Sequence, residues 1–452
     1  MTFKVEAVLT DDNWLQLSDP FHNNSWNNTF SLVIGQNATG KSRLLRKIVS
    51  NYIFENKGPT RNQYSHYNPS TPWSQSDYYS SNREVTETYF SNPLPENVIA
   101  VSTGRHDRFP SPLHLKGKPT QVEYHYIGPA ADRGNSISSI TRSVTAILQG
   151  LLNYNEKFSS LSHIFDYLGF IPYLNLKFSA DPRVNGLKRR NGDDWQYLIP
   201  ELINAENRQD YNYELIEKFN RFSDPLNNKH GGRLEINLND YAWRHKNYDL
   251  HDAIDLLNAG LIKISDITLI SQKNKDRLRF SQASSGQQCM LTMILGIAGA
   301  IKDDSLICID EPEISLHPRW QADIVRQLQT VFEEYQGCHF IIATHSPQIV
   351  SGLTTENGYV LSLEDRKFYR SDEYARRSAD FQLAEIFNTP GHNNEYLIRI
   401  ALTLLTKLSN EQPLTNVDRQ KIEWLSIIGK DLSDKDPVFH LINQVRMLGL
   451  GI

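Results

Sequence analysis

Short, unbroken apolar runs alternate with stretches of helical spacing along much of this chain. FKVEAVL (3–9) and TFSLVI (29–34) read as strands. The second run stops at a glycine-bearing turn, and RLLRKIVSNYIF (43–54) follows with apolar positions three and four apart, as in a helix. Val98–Ser102 reads as another strand, and 137–171 carries helical spacing. Residues 251–260 predict a helix ending near Gly260, then a hairpin of ITLIS (267–271) and RLRFS (277–281). A helix over Gln288–Ala300 leads to the buried strand Leu306–Ile309. Next come a helix over Pro318–Tyr335, a buried strand HFIIAT (339–344), a pair of strands within 359–371, and a mainly helical 379–452. Two stretches break the pattern. Residues 53–97 are rich in Ser, Asn, Pro and Tyr and read either as an ordered insertion or partner loop, since aromatics argue against full disorder, or as a partly disordered surface loop. Residues 172–250 are mixed and polar, without a period to follow.

Composition narrows this picture. A length of 452 residues allows two or three domains, or one large domain with insertions. The net charge of −5 gives no global basic field for nucleic acid, so such a contact needs a local patch. Lys188–Arg190 reads as a solvated loop or a phosphate-backbone contact. Cys289, Cys308 and Cys338 lie far apart and read as small core residues. The first residues lack a signal pattern, and the run Leu291–Ile301 is too short to span a bilayer. A reducing cytoplasm, with no membrane contact, is the expectation.

Four motifs carry chemistry. Gly35, Gln36, Asn37, Ala38, Thr39, Gly40, Lys41 and Ser42 match G-x-x-x-x-G-K-[ST], after a strand and opening a helix. There the backbone N–H groups curl around phosphates, Lys41 supplies positive charge, and the Ser42 hydroxyl can ligate Mg²⁺. The apolar run Leu306–Ile309 delivers two adjacent acids at a strand end, where parallel sheets place ligands. Asp310 would hold the metal and Glu311 would polarise the attacking water. His345, after another buried strand, could reach the γ-phosphate or that water. The turn Ser284, Ser285, Gly286 and Gln287 opens a helix and makes a second anion site, best satisfied by nucleotide on another subunit.

In this order, GQNATGKS, SSGQQ, LICIDEPEISLHPRWQ and IIATHSPQIV resemble ABC-type ATPases of the SMC/RecF-like branch, closest to the compact overcoming-lysogenisation and anti-phage defence group. The resemblance covers 1–50 and 251–365. It implies ATP and Mg²⁺ as cofactors, Ser284–Gln287 as the signature, Glu311 as catalytic carboxylate, Ser315 and His317 at the D-loop position, and His345 as switch histidine. Ala283 stands where the family often has Leu, the D-loop lacks its usual Asp, and no Q-loop glutamine can be placed.

The expected fold is α/β: a P-loop ABC-type ATPase head with mixed sheet, a helical insertion lobe and a C-terminal helical tail. Its divisions are an N-terminal ATPase lobe (1–136), a mainly helical insertion (137–265), a C-terminal ATPase lobe (266–371) and a helical, partner-binding tail (372–452). The 107 residues after His345 are few for a Toprim nuclease, and Gly391–Asn394 is too sparse for an HNH site. The resemblance therefore implies a slow ATPase in a homo-oligomer, controlling a separate HNH or Toprim nuclease as in Septu, retron and PARIS systems. Nucleic acid, retron RNA/DNA included, would be met through that complex. A RecF-like ATPase that clamps DNA directly through Lys188–Arg190, Arg43, Arg46 and Lys47 is the alternative. A transporter ATPase subunit fits the long inserts poorly.

Overall fold

The computed structural model describes residues 3–10, 13–19, 27–36, 38–54, 88–91, 94–104, 108–110, 115, 120–128, 143–145, 147–148, 160–181, 209–227, 232–239, 242–245, 250–354, 356–374 and 377–450. The readings made for Asn37, for Lys188–Arg190, and for 55–87 within the Ser/Tyr-rich stretch lie outside them. Strands β1 (Lys4–Thr10) and β2 (Asn13–Gln16) pair antiparallel, and β3 (Thr29–Ile34) enters a second sheet and feeds helix α1 (Lys41–Ile53). Strand β4 (Thr88–Ser91), the far end of the 53–97 stretch, pairs with the free edge of β1. Strands β5 (Asn97–Ser102) and β6 (Glu123–Ile127) return to the sheet of β3.

The next segment differs from expectation. Helices α2 (Leu161–Tyr167), α3 (Gln209–Asn227) and α4 (Leu250–Asn258) are present. So is a five-stranded antiparallel sheet made by β7 (Tyr173–Ala180), β8 (Gly232–Asn237), β9 (Ala242–His245), β10 (Ile262–Ile270) and β11 (Arg277–Arg279), in the order β11-β10-β7-β8-β9. Among the described residues, the lobe expected to be mainly helical thus carries this sheet beside its helices. The reason lies in the alternation: Leu174, Leu176 and Phe178 on β7, and Leu234 and Ile236 on β8, point to the core. Intervening polar residues such as Asn175 and Glu235 bond across the strands at 3.0 Å and make the sequence read as polar.

Helix α5 (Ser285–Ala298), β12 (Leu306–Asp310), α6 (Pro318–Val331), β13 (His339–Thr344), the short α7 (Pro347–Gly352), β14 (Gly358–Ser362) and β15 (Phe368–Arg370) complete the head. Helix α5 begins three residues before the expected Gln288, because Ser284 and Gln287 form a capping box that starts it. The principal sheet runs β15-β14-β3-β13-β12-β5-β6, all parallel except β15.

Strands β3, β5, β12 and β13 are buried along their whole length, as strands covered on both faces must be. Alternate residues of one strand serve different cores. Ile307 and Ile309 face the layer built with α5, α6 and the inserted sheet. Leu306 and Cys308 face the layer built with α1 and the β1 sheet. His339 ties the second layer together: Nδ1 accepts from Val5 N at 2.9 Å, and Nε2 lies 2.8 Å from Ser31 Oγ.

Past the head, α8 (Glu395–Ser409), α9 (Asn416–Ile428) and α10 (Pro437–Leu450) gather a separate core around Leu397, Leu404, Leu425 and Ile442. Asn394 caps α8 by accepting from Leu397 N, so the Gly391–Asn394 stretch is a helix start. Among the described residues, no helix is long and apolar enough to cross a membrane.

Candidate nucleotide-binding site

Five adjacent parallel strands, β14-β3-β13-β12-β5, each hand over polar residues just past their carboxyl ends. That edge is where open α/β sheets bind ligands. Strand β3 gives the Gly35–Ser42 loop, β13 gives His345, and β12 gives Asp310 and Glu311. Because β13 lies between β3 and β12, His345 leaves the sheet between the loop and the acid pair.

The loop is tightly curled. Gly35, Ala38 and Gly40 take φ of 153°, 69° and 103°. A β-carbon on residue 35 would meet the Thr39 hydroxyl at 2.7 Å, and the left-handed Ala38 is an uncommon backbone state for a residue with a side chain. Thr39 Oγ1 donates to Gln36 O at 2.8 Å. Lys41 is buried and donates to the carbonyls of Gly35 (2.7 Å) and Gln36 (2.9 Å). Burial lowers its pKa, against the opposing pull of Glu311, Glu313, Asp310 and Glu364. Ser42 Oγ donates to Asp310 Oδ1 at 3.2 Å, joining loop and acid strand across 268 residues of sequence.

Glu311 adopts the left-handed conformation at φ 49° and is held from both sides of its peptide. Its N–H donates to Ala343 O at 2.9 Å, and its carbonyl accepts from Thr103 Oγ1 at 2.5 Å. The side chain stays partly exposed, with Oε1 3.8 Å from His345 Nδ1. Such a twist turns the carboxylate out of the strand direction that holds Asp310.

Ser284 and Ser285 are exposed at the start of α5, and Gly286 is buried beneath α6. Gln287 has both ends of its amide engaged within the chain: Oε1 accepts from Ser284 N at 2.9 Å and Nε2 donates to Leu168 O at 3.0 Å. It braces the turn, while the two serine hydroxyls carry the exposed polar surface. Ser315 ends the 3-10 turn that starts at Pro312, and His317 caps α6 through Nδ1, which accepts from Arg319 N at 3.3 Å.

Three contributors went unread in the sequence. Thr103, just past the end of β5, anchors Glu311. Glu364 Oε1 accepts from Gln36 N at 2.7 Å, a contact created by the β3–β14 pairing of Ile34 with Ser362. Glu313 contacts His345 at 3.2 Å. Only Glu313, an acid two places past Glu311, left a signal that could have been weighed. Gln121 bonds through its N–H to Ile53 O at the end of α1.

A sheet that brings this loop, acid pair and histidine to one edge, with a capped serine turn opening α5, is the arrangement of an α/β ATPase domain with a P-loop, and its motif order resembles ABC-type, SMC-like heads. Residues 156–351 match the family model described as "AAA domain, putative AbiEii toxin, Type IV TA system", a span that takes in the serine turn, Asp310, Glu311 and His345. The chain is similar to "Retron Vc95 probable ATPase" of Vibrio cholerae, 24% identical over 230 residues, 48% of this chain and 43% of the relative. It is similar to "Protein ea59" of Escherichia phage lambda, 23% identical over 317 residues, 70% of this chain and 45% of the relative. "Septu protein PtuA" of Bacillus mycoides is 30% identical over 99 residues, 20% of this chain and 14% of the relative. The matches thus span less than half the length of these curated relatives.

Proposed function

We propose that this chain is the ATP-binding and ATP-hydrolysing subunit of an anti-phage defence complex, cytoplasmic in location. Copies assembled through ATP control a separate nuclease effector. The observation that carries the reading is the meeting of Ser42, Asp310, Glu311 and His345 at the ends of three neighbouring strands. The Gly35–Ser42 backbone and Lys41 receive the phosphates. Ser42 Oγ and Asp310 Oδ1, hard oxygen donors 3.2 Å apart, suit Mg²⁺. When bound, that ion neutralises charge on the phosphates. Glu311 accepts a proton from the attacking water, and His345 holds the water or the γ-phosphate oxygen. In this reading Ser284 and Ser285 meet nucleotide from another copy, a role their exposure at the amino end of α5 supports. Gly286 and Gln287 shape that turn.

The defence role draws on the motif resemblance together with the retron and Septu names among the relatives. The likeness to a phage-encoded protein makes its biological test necessary. MgATP hydrolysis by the purified chain, ATP-dependent self-association of the Glu311→Gln variant, and phage plating on cells carrying the intact gene cluster test the three layers separately. Lack of turnover sinks the enzymatic layer. A monomer with ATP bound sinks the sandwich. Unchanged plating sinks the defence role.

A second reading, direct DNA clamping, draws on Arg43 and Arg46, both exposed on α1. Salt-dependent DNA binding by the isolated chain would favour it, and no binding at low salt would remove it.

A further inference from the structure

Glu313 lies in the 3-10 turn between β12 and the Ser315–His317 stretch, with a side chain only 4% exposed. Its Oε1 accepts from Thr344 Oγ1 at 2.8 Å and from His345 N at 2.7 Å, and lies 3.2 Å from His345 Nδ1. Its Oε2 is buried without a hydrogen-bond partner. A buried acceptor left unpaired is costly. A neutral side chain of the same shape would accept the Thr344 and backbone bonds at lower desolvation cost. What a carboxylate adds is charge beside the imidazole.

The ring nitrogen is constrained by its neighbours. Nδ1 faces Glu313 Oε1 at 3.2 Å and Glu311 Oε1 at 3.8 Å. Both are close approaches rather than aligned hydrogen bonds, and two carboxylate oxygens on that side of the ring favour a hydrogen on Nδ1 over a lone pair. Nε2, across the ring, is left for other partners: it accepts in the neutral ring and donates in the charged one. The backbone bond from His345 N to the same Oε1 fixes the residue at its root, so one atom governs both main chain and ring.

We infer that Glu313 is a positioning residue for the phosphate-cleaving step: it fixes the Nδ1–H tautomer and the orientation of His345, presenting Nε2 to the γ-phosphate or the attacking water. This deepens the ATPase reading and rests on it for what Nε2 meets. The same carboxylate gives the site a mechanical input. Its turn continues into Leu316, whose carbonyl accepts from Gln321 Nε2 at 3.0 Å, and Gln321 Oε1 accepts from Ser346 Oγ at 2.7 Å. A subunit pressing on Ser315–His317 would therefore shift the histidine through Glu313 on one side and Ser346 on the other.

The test begins with ¹⁵N imidazole shifts of His345 in the labelled wild-type chain, assigned by comparison with His345→Ala. Protonated Nδ1 with unprotonated Nε2 is expected at neutral pH in the neutral ring, or two protonated nitrogens in the charged one. A neutral ring protonated at Nε2 overturns the inference. The isosteric Glu313→Gln variant should lower kcat by ~10–100-fold, the range for partners that hold a histidine from behind, with KM for MgATP changed less than about twofold. Combined with His345→Ala, Glu313→Gln should add no further loss. Additive losses would show a role independent of His345 and overturn the inference. If the wild-type chain hydrolyses no ATP, the ATPase reading fails, and the ring shifts still decide whether Glu313 sets the tautomer.

Discussion

Gly286 lies so close beneath Trp320 that a β-carbon on residue 286 would sit 2.7 Å from the indole Cζ3 and 2.9 Å from the Ser315 carbonyl oxygen. The first turn of α5 and the entry to α6 are therefore locked to each other within one chain. Gln287 extends the lock by donating to Leu168 O at the end of α2. Tyr167, whose ring lies beside Trp320, donates its hydroxyl to Asp323 at 2.8 Å.

Gly286→Ala should consequently do more than remove a flexible residue. Overfilling a packed site costs typically about 1–3 kcal/mol, and here the indole and a backbone carbonyl must both yield. Urea unfolding should show that loss. ATP-dependent self-association should weaken further, because the exposed Ser284 and Ser285 are carried by the same turn. Unchanged stability would mean that the Trp320 contact relaxes freely.

Glu311→Gln should keep nucleotide binding and lose turnover by ~10²–10⁴-fold, the usual contribution of a positioned general base. The amide keeps the size of the carboxylate, so the left-handed backbone held by Thr103 and Ala343 has no reason to change. Single-turnover ATP cleavage and a nucleotide-binding titration, run side by side, check the split. A variant that loses both would show that Glu311 serves the loop's structure.

Asp310→Asn should spare the fold and weaken metal-dependent binding. It removes the charge facing Ser42 Oγ while leaving an oxygen to accept that bond. ATP affinity measured with Mg²⁺ should fall by about tenfold or more, whereas affinity measured in EDTA should hardly move. Equal loss in both conditions would speak against a metal at this pair.

His339 makes the fold sensitive to acid. Burial lowers its pKa to about 3, so the folded chain holds it neutral while the unfolded chain protonates near the ordinary value of ~6.5. The unfolded state then binds more protons between those values, and stability falls as pH falls. The contribution is intact above pH ~6.5, and by pH 5 about 2 kcal/mol should be gone. His339→Gln should be less stable at pH 7, because the bonds to Val5 N and Ser31 Oγ are disturbed, and its stability should change less between pH 7 and pH 5. Denaturant titrations at the two pH values separate the two effects.

The parts of the head most legible in sequence were those whose environment is uniform. Strands β3, β12 and β13 are wrapped by helices and sheet on both faces, so TFSLVI, LICID and HFIIAT are nearly free of charge and announce themselves. The inserted sheet was obscured because its alternation is interrupted by working polar residues such as Asn175 and Glu235. Helix α5 began earlier than expected because Ser284 and Gln287, read first as a turn, are the cap that starts it. The site divided in the same way. Lys41, Ser42, Asp310 and Glu311 sit in local patterns that can be read directly along the chain. Glu364 reaches Gln36 only because strand pairing closes 328 residues of sequence, and no local pattern records that meeting.

The inserted sheet does not have a core of its own. Phe178, Phe219 and Leu234 belong to the same apolar cluster as Ile294 of α5 and Ile309 of β12. The insertion therefore cannot be cut away as a module without exposing the side chains that seat the serine turn and the acid pair.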